Sequence, residues 1–219
     1  MTPARNFEIA HDETDTTEKA LAGGSAGEAL AGAGAAVLAI LALSGVFPVI
    51  LTAIGVIAIG VAFLFQGAAI ASHLSMVRAA SGVGEVATGT TTELVGGLAG
   101  IVLGILALVG VAPLGLIAVS AIVFGGTLLF GSPTIYSVAE MGRTGVETLQ
   151  AGRRVVTDLA AGASGAQALI GIGSATLGIL ALVGIVPHVL EQVAVLCVGA
   201  GALLSGGAIT SKMVALLAR

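Results

Sequence analysis

The 219 residues carry eight Lys and Arg against twelve Asp and Glu, a formal net charge of −4, with 9% charged and 57% hydrophobic residues. A mean hydropathy of +1.12 and a charged fraction far below the roughly 25% of soluble domains exclude an ordinary soluble domain. The acidic balance leaves no basic face for nucleic acid, and a single cysteine, Cys197, excludes an intrachain disulfide or a thiolate metal cluster.

Residues 1–24 are polar, with Glu8, Asp12, Glu13, Asp15 and Glu18 set against Arg5 and Lys19. No basic segment leads into an apolar one here, so no cleaved signal peptide is expected. The stretch reads as an acidic soluble tail, either a solvated leader or a docking segment for a cytoplasmic partner.

From residue 25 onward the chain states one unit three times. The phrases ILALSGVFP (40–48), ILALVGVAP (105–113) and ILALVGIVP (179–187) lie 65 and then 74 residues apart. The same offsets align Gly60, Gly125 and Gly199, and also Glu28, Glu93 and Gln167. A fixed period of this kind marks a repeat architecture. Apolar runs flank every phrase, and each approaches the ~20 residues that cross a ~30 Å hydrocarbon core as a helix. Nothing alternates with the period of two that a membrane barrel needs. The sequence therefore predicts an all-α membrane protein, six transmembrane helices in three repeated hairpins over 25–72, 90–137 and 164–211. Connections at 73–89 and 138–163 join the hairpins, and a tail follows at 212–219.

Each hairpin opens on the pattern S/T-x-x-E/Q: Ser25 with Glu28, Thr90 with Glu93, Ser164 with Gln167. In a capping box the hydroxyl accepts from the third helical amide and the Glu or Gln reaches back to the cap. Gln167 carries no charge yet fills the same place, so the pattern predicts helix caps rather than ion-binding carboxylates. Small residues then recur every four positions: Ala31, Ala35 and Ala39; Gly96, Gly100 and Gly104; Ser174 and Gly178. That spacing lets backbones approach closely. It predicts self-association, and the first helix of each hairpin at the centre with the second facing lipid.

Gly45, Gly110 and Gly184 sit where a helix C-terminus takes a glycine, and Pro48, Pro113 and Pro187 follow as the next helix starts. These are the hairpin turns. Pro133 is expected to kink or end the fourth helix. Every Lys and Arg lies in the tail, the two connections or the C-terminus, which predicts both termini and both connections in the cytoplasm of a bacterial inner membrane. In the second connection Val146, Leu149, Val155, Val156 and Leu159 share one helical face. They predict either an interfacial helix or one packed on the bundle.

Glu191 stands apart from the other acids, one turn into the sixth helix at its non-cytoplasmic end, with His188 and Gln192 beside it. A carboxylate in a span is costly and often functional. The group is either a proton-responsive site or a set of side chains reaching the outer surface. Gln66 lies deep in the second helix, opposite Gly131 and Ser205 of the other repeats, and an interhelical hydrogen bond is expected of it. No nucleophile–base pairing, phosphate loop or metal-ligand spacing occurs, so neither enzyme activity nor a cofactor is expected.

An apolar Gly-bearing helix, the ILALxGxxP turn and a second helix with a mid-span Gly resemble the short-repeat membrane family that includes the HdeD-like acid-resistance proteins, over about 28–72, 93–137 and 167–211. The resemblance implies six spans and, for some members, survival of acid stress. It brings no catalytic residues with it. Two functions are expected from these readings: a structural or stress-protective membrane protein, or a channel or transporter for protons or a small neutral solute with Glu191 and His188 at its outer mouth.

Overall fold

The structure, a computed structural model, describes residues 26–81, 87–141 and 150–217, with side chains described over 26–68, 92–131 and 165–206. Every regular element among them is helical: α1 (Ala26–Leu43), then α2 (Pro48–Ser81), α3 (Ala87–Leu108), α4 (Pro113–Met141), α5 (Gln150–Leu182) and α6 (Pro187–Leu217). Five of them, α1, α2, α4, α5 and α6, hold a span long and apolar enough to cross a membrane. Within α3 the apolar stretch among the described residues is Thr92–Leu108.

The helices run beyond the hairpin boundaries drawn from sequence. α2 continues to Ser81, and α4 passes through Pro133 to Met141, so that proline does not end it. A lost amide donor is tolerated where neighbouring helices shelter the backbone. α5 is unbroken from Gln150, and the amphipathic stretch expected as a separate helix is, from that residue onward, the N-terminal part of α5. Two expected caps are corrected by the same extension. Thr90 lies inside α3 and Ser164 well inside α5, so their backbone amides are already within a helix. Ser25, like the tail at 1–24, lies outside the described residues.

The three turns share one geometry. The Gly45 amide donates to Ala42 O at 3.0 Å and the Val46 amide to Leu41 O at 3.3 Å, the paired bonds of a Schellman C-cap. Gly110 with Val111, and Gly184 with Ile185, repeat both bonds. The glycines hold φ of +89°, +90° and +90°, a region that costs an L side chain about 1–2 kcal/mol. Two residues later Phe47, Ala112 and Val186 also take positive φ, 40°, 39° and 39°, just before the proline that opens the next helix. For a β-branched side chain this is a true outlier. Val186 is also exposed, so its strain is not offset by burial. Val186→Asn is expected to raise stability by about 1 kcal/mol, because Asn tolerates this conformation and its side chain caps a helix start. The thermal midpoint of purified protein in detergent reads this, and a fall would show that the Val186 side chain holds the turn.

Packing between hairpins reverses the order expected from sequence. The second helices, α2, α4 and α6, touch one another pairwise, whereas α3 and α5 make no mutual contact. Burial agrees: 44%, 50% and 44% of the spans of α2, α4 and α6 are buried, against 28% and 22% for α1 and α5. The larger side chains therefore fill the axis, and the small ones let the first helices press on it from outside.

On α2 the axial positions are Thr52, Val56, Ile59 and Phe63, matched by Ile117, Ala121, Phe124 and Leu128 on α4 and by Glu191, Val195, Val198 and Ala202 on α6. All are buried. Their steps of four, three and four are those of a coiled-coil seam, here made by three parallel helices of one chain. Phe63 and Phe124 meet edge to face, with ring centroids 5.3 Å apart.

Each first helix lies in the groove of another hairpin, α3 on α2, α5 on α4 and α1 on α6. Glycines face each other at every crossing. A Cβ placed on Gly97 would stand 2.7 Å from Gly60 O, one on Gly171 2.7 Å from Gly125 O, and one on Gly32 2.7 Å from Gly199 O. The expected packing rows face the second helices, of the neighbouring hairpin or of their own, rather than joining the first helices to each other. Gly104 and Gly178 abut the backbone of Ala53 and Ala118, Gly96 and Gly100 face Thr127 and Phe124 of α4, and Ala35 and Ala39 are buried. Ser174 Oγ donates to Ala121 O at 2.9 Å, tying α5 to α4, while Ala31 is only half-buried.

Candidate functional site

Buried carboxyl and amide side chains enter the bundle at both ends of the axis, and between them the buried hydroxyls of Ser120, Thr127 and Ser174 turn to helix carbonyls. At the end carrying the three turns, α6 starts at Pro187 and brings Glu191 round to the axial face after one helical turn. Glu191 is 2% exposed and Gln192 is buried beside it. Glu191 Oε1 has no hydrogen-bond partner among the described residues. At its level Thr52 turns its hydroxyl back to Pro48 O at 2.5 Å, and Ile117 offers only hydrocarbon. The expected group thus divides: Glu191 and Gln192 point inward, while His188 is exposed. Glu191 does not reach the surface, so no snorkelling offsets its burial.

At the opposite end the glutamates expected as caps turn into the protein. Glu28 on α1 is 3% exposed, and its Oε1 accepts a hydrogen bond from Ser205 Oγ on α6. Ser205 Oγ also contacts Ala202 O at 3.1 Å. Glu93 on α3 is 4% exposed, its Oε2 has no hydrogen-bond partner among the described residues, and its carboxyl lies over Gly131 of α4.

Between these residues lies a cavity of about 10 Å³, about the room of one water molecule. Glu28, Gln66, Gln167 and Ser205 supply its polar lining, one from each of four helices, and Phe63 and Leu128 close it toward the middle of the bundle. Gln66 and Gln167 therefore meet at one site although they come from different repeats. The sequence signal for this site was present: four polar side chains at aligned positions inside apolar spans, where polar groups default to function. Local reading assigned two of the four to caps.

From Glu191 to Ser205 the axis runs about 21 Å at 1.5 Å per residue. Over that length the three central helices present to one another only Val56, Ala121 and Val195, then Ile59, Phe124 and Val198, then Phe63, Leu128 and Ala202, all buried. The eight Lys and Arg all fall outside the segments whose side chains are described, so no described cation neutralises either carboxyl site. No group of three or more His, Cys, Asp or Glu residues able to hold a metal occurs among the described residues. Cys197 is exposed and free.

Comparison with protein-family models, with curated proteins and with solved structures finds no match to this chain.

Proposed function

We propose that the chain is a bacterial inner-membrane protein in which three repeated hairpins span the bilayer six times, with both termini and both connections in the cytoplasm. Its role is structural or stress-protective, and it catalyses no reaction. The observation that carries this reading is the axis itself: three consecutive layers of interlocking apolar side chains leave no polar-lined route between the two ends. Solute and ion pathways are lined by polar or charged groups, and this axis offers none over the roughly 10 Å from its first apolar layer to its third. The outer surface suits the same role. Leu30, Val95, Leu98, Leu169 and Phe130 are among many large apolar side chains exposed on the bundle, which suits contact with lipid or with a second copy. The positions of Lys and Arg support the orientation, and the resemblance to HdeD-like proteins points to acid as the stress.

One observation favours the second reading, proton transfer: Glu191 is buried with an unpartnered oxygen at the mouth of the axis. Proton flux into liposomes under an imposed pH gradient separates the two. For a scaffold, wild type and Glu191→Gln both match empty liposomes. Flux above that background which drops in the variant would replace the scaffold by a proton pathway gated at Glu191.

A further inference from the structure

We propose that the cavity between Glu28, Gln66, Gln167 and Ser205 is a binding site for one dehydrated monovalent cation of about the size of sodium.

Four features carry the inference. The first is charge. The Glu28 carboxyl lines the cavity and is 3% exposed, inside a span where a charged group is costly. Buried charge is paired or holds a cation. The second is donor chemistry. A carboxyl group, a hydroxyl and two side-chain amides line it from α1, α6, α2 and α5, and each carries an oxygen, the ligand atom of hard cations.

The third is size. A cavity of about 10 Å³ takes a single water-sized occupant, so an ion enters only without its hydration shell. Magnesium keeps several of its waters and demands octahedral geometry, and calcium needs six to eight oxygens. Neither fits here. The fourth is the oxygen cluster at Ser205, whose Oγ donates to Glu28 Oε1 and also lies 3.1 Å from Ala202 O, so that three oxygens meet at one wall of the cavity. A proton on the Glu28 carboxyl and an alkali ion would compete for this one place.

That competition supplies the test. Dicyclohexylcarbodiimide adds to protonated carboxyl groups in apolar surroundings, and mass spectrometry of peptides resolves which glutamate is labelled. Full-length protein in detergent is labelled at one fixed pH, in sodium chloride or in choline chloride of equal ionic strength. Sodium at ten times its dissociation constant should slow labelling of Glu28 about tenfold and leave Glu191, at the other end of the axis, unchanged. Gln66→Leu, which keeps Glu28 but removes one cavity oxygen, should weaken the protection.

Labelling of Glu28 that follows pH but ignores sodium would overturn the proposal and leave a proton or a water in the cavity. Equal slowing at Glu28 and Glu191 would overturn it as well, as a general salt effect. Thermal unfolding is the independent readout if no glutamate labels. Sodium, but not choline, should raise the midpoint of wild type and fail to do so for Glu28→Gln. Identical midpoints in the two salts would end the idea.

Discussion

Gly97→Val is expected to destabilise the protein by about 3 kcal/mol, at the upper end of the range for overpacking a close contact. A first added carbon already stands 2.7 Å from Gly60 O and 3.2 Å from Leu64 Cδ2. The first of these neighbours is backbone, which cannot rotate away, so α3 must lift off α2. Membrane helices gain little from expelling water and depend on close van der Waals contact. The lost approach therefore removes much of what holds this pair together. Against a total stability of roughly 5–15 kcal/mol, the change should be visible as poor recovery of folded protein and a lower melting point in detergent. Gly171→Val and Gly32→Val should behave alike, since each meets the backbone of Gly125 or Gly199 in the same way. Gly34→Val is the control, because nothing lies within 4 Å of a Cβ placed there. Equal melting points for Gly97→Val and Gly34→Val would mean that the glycine crossings do not set the helix spacing.

Those crossings also show where sequence reasoning succeeds in this chain and where it fails. The turns were legible to the residue, because Gly45, Gly110 and Gly184 followed by proline answer to local backbone energetics alone. The offsets of 65 and 74 also reappear in the glycine pairs at the crossings. What could not be read was which helix lies inside. In water a helix shows its buried face by the contrast between apolar and polar sides. In a bilayer the solvent is as apolar as the core, so Leu98 facing outward and Ile59 facing the axis look alike in composition. The usable signal was the row 52, 56, 59, 63, apolar or small in all three repeats save at Thr52 and Glu191.

Glu93 escapes a local reading for a related reason. T-x-x-E is a cap only where a helix begins, and α3 begins at Ala87, before the pattern is reached. Backbone beyond the apolar spans continued as helix, so the boundary of hydropathy was not the boundary of structure. Once the pattern lies inside a helix, its glutamate is free to face the bundle.

Glu191→Ile should stabilise the protein, by about 2 kcal/mol. The site needs a side chain that fills the axis at the level of Thr52 and Ile117, and isoleucine already does so in the second hairpin. Glutamate fills the space but brings a carboxyl group with one oxygen unpartnered. Acidic groups at mid-membrane cost roughly 2.5–3.5 kcal/mol on insertion scales, and less toward the ends of a span. Replacing a buried polar group with well-packed hydrocarbon is often neutral or stabilising. Glu191→Gln should fall between the two, since the amide keeps the polarity but cannot ionise. The reverse change, Ile117→Glu, would put two carboxyl groups at one level of the axis and should destabilise strongly. Thermal unfolding of the three variants by circular dichroism in one detergent ranks them. If Glu191→Ile instead melts lower than wild type, the carboxyl has a partner that fastens the turn end. If it melts higher, Glu191 is held at a cost in stability, and such a residue persists where function needs it. The liposome experiment then names that function or excludes protons from it.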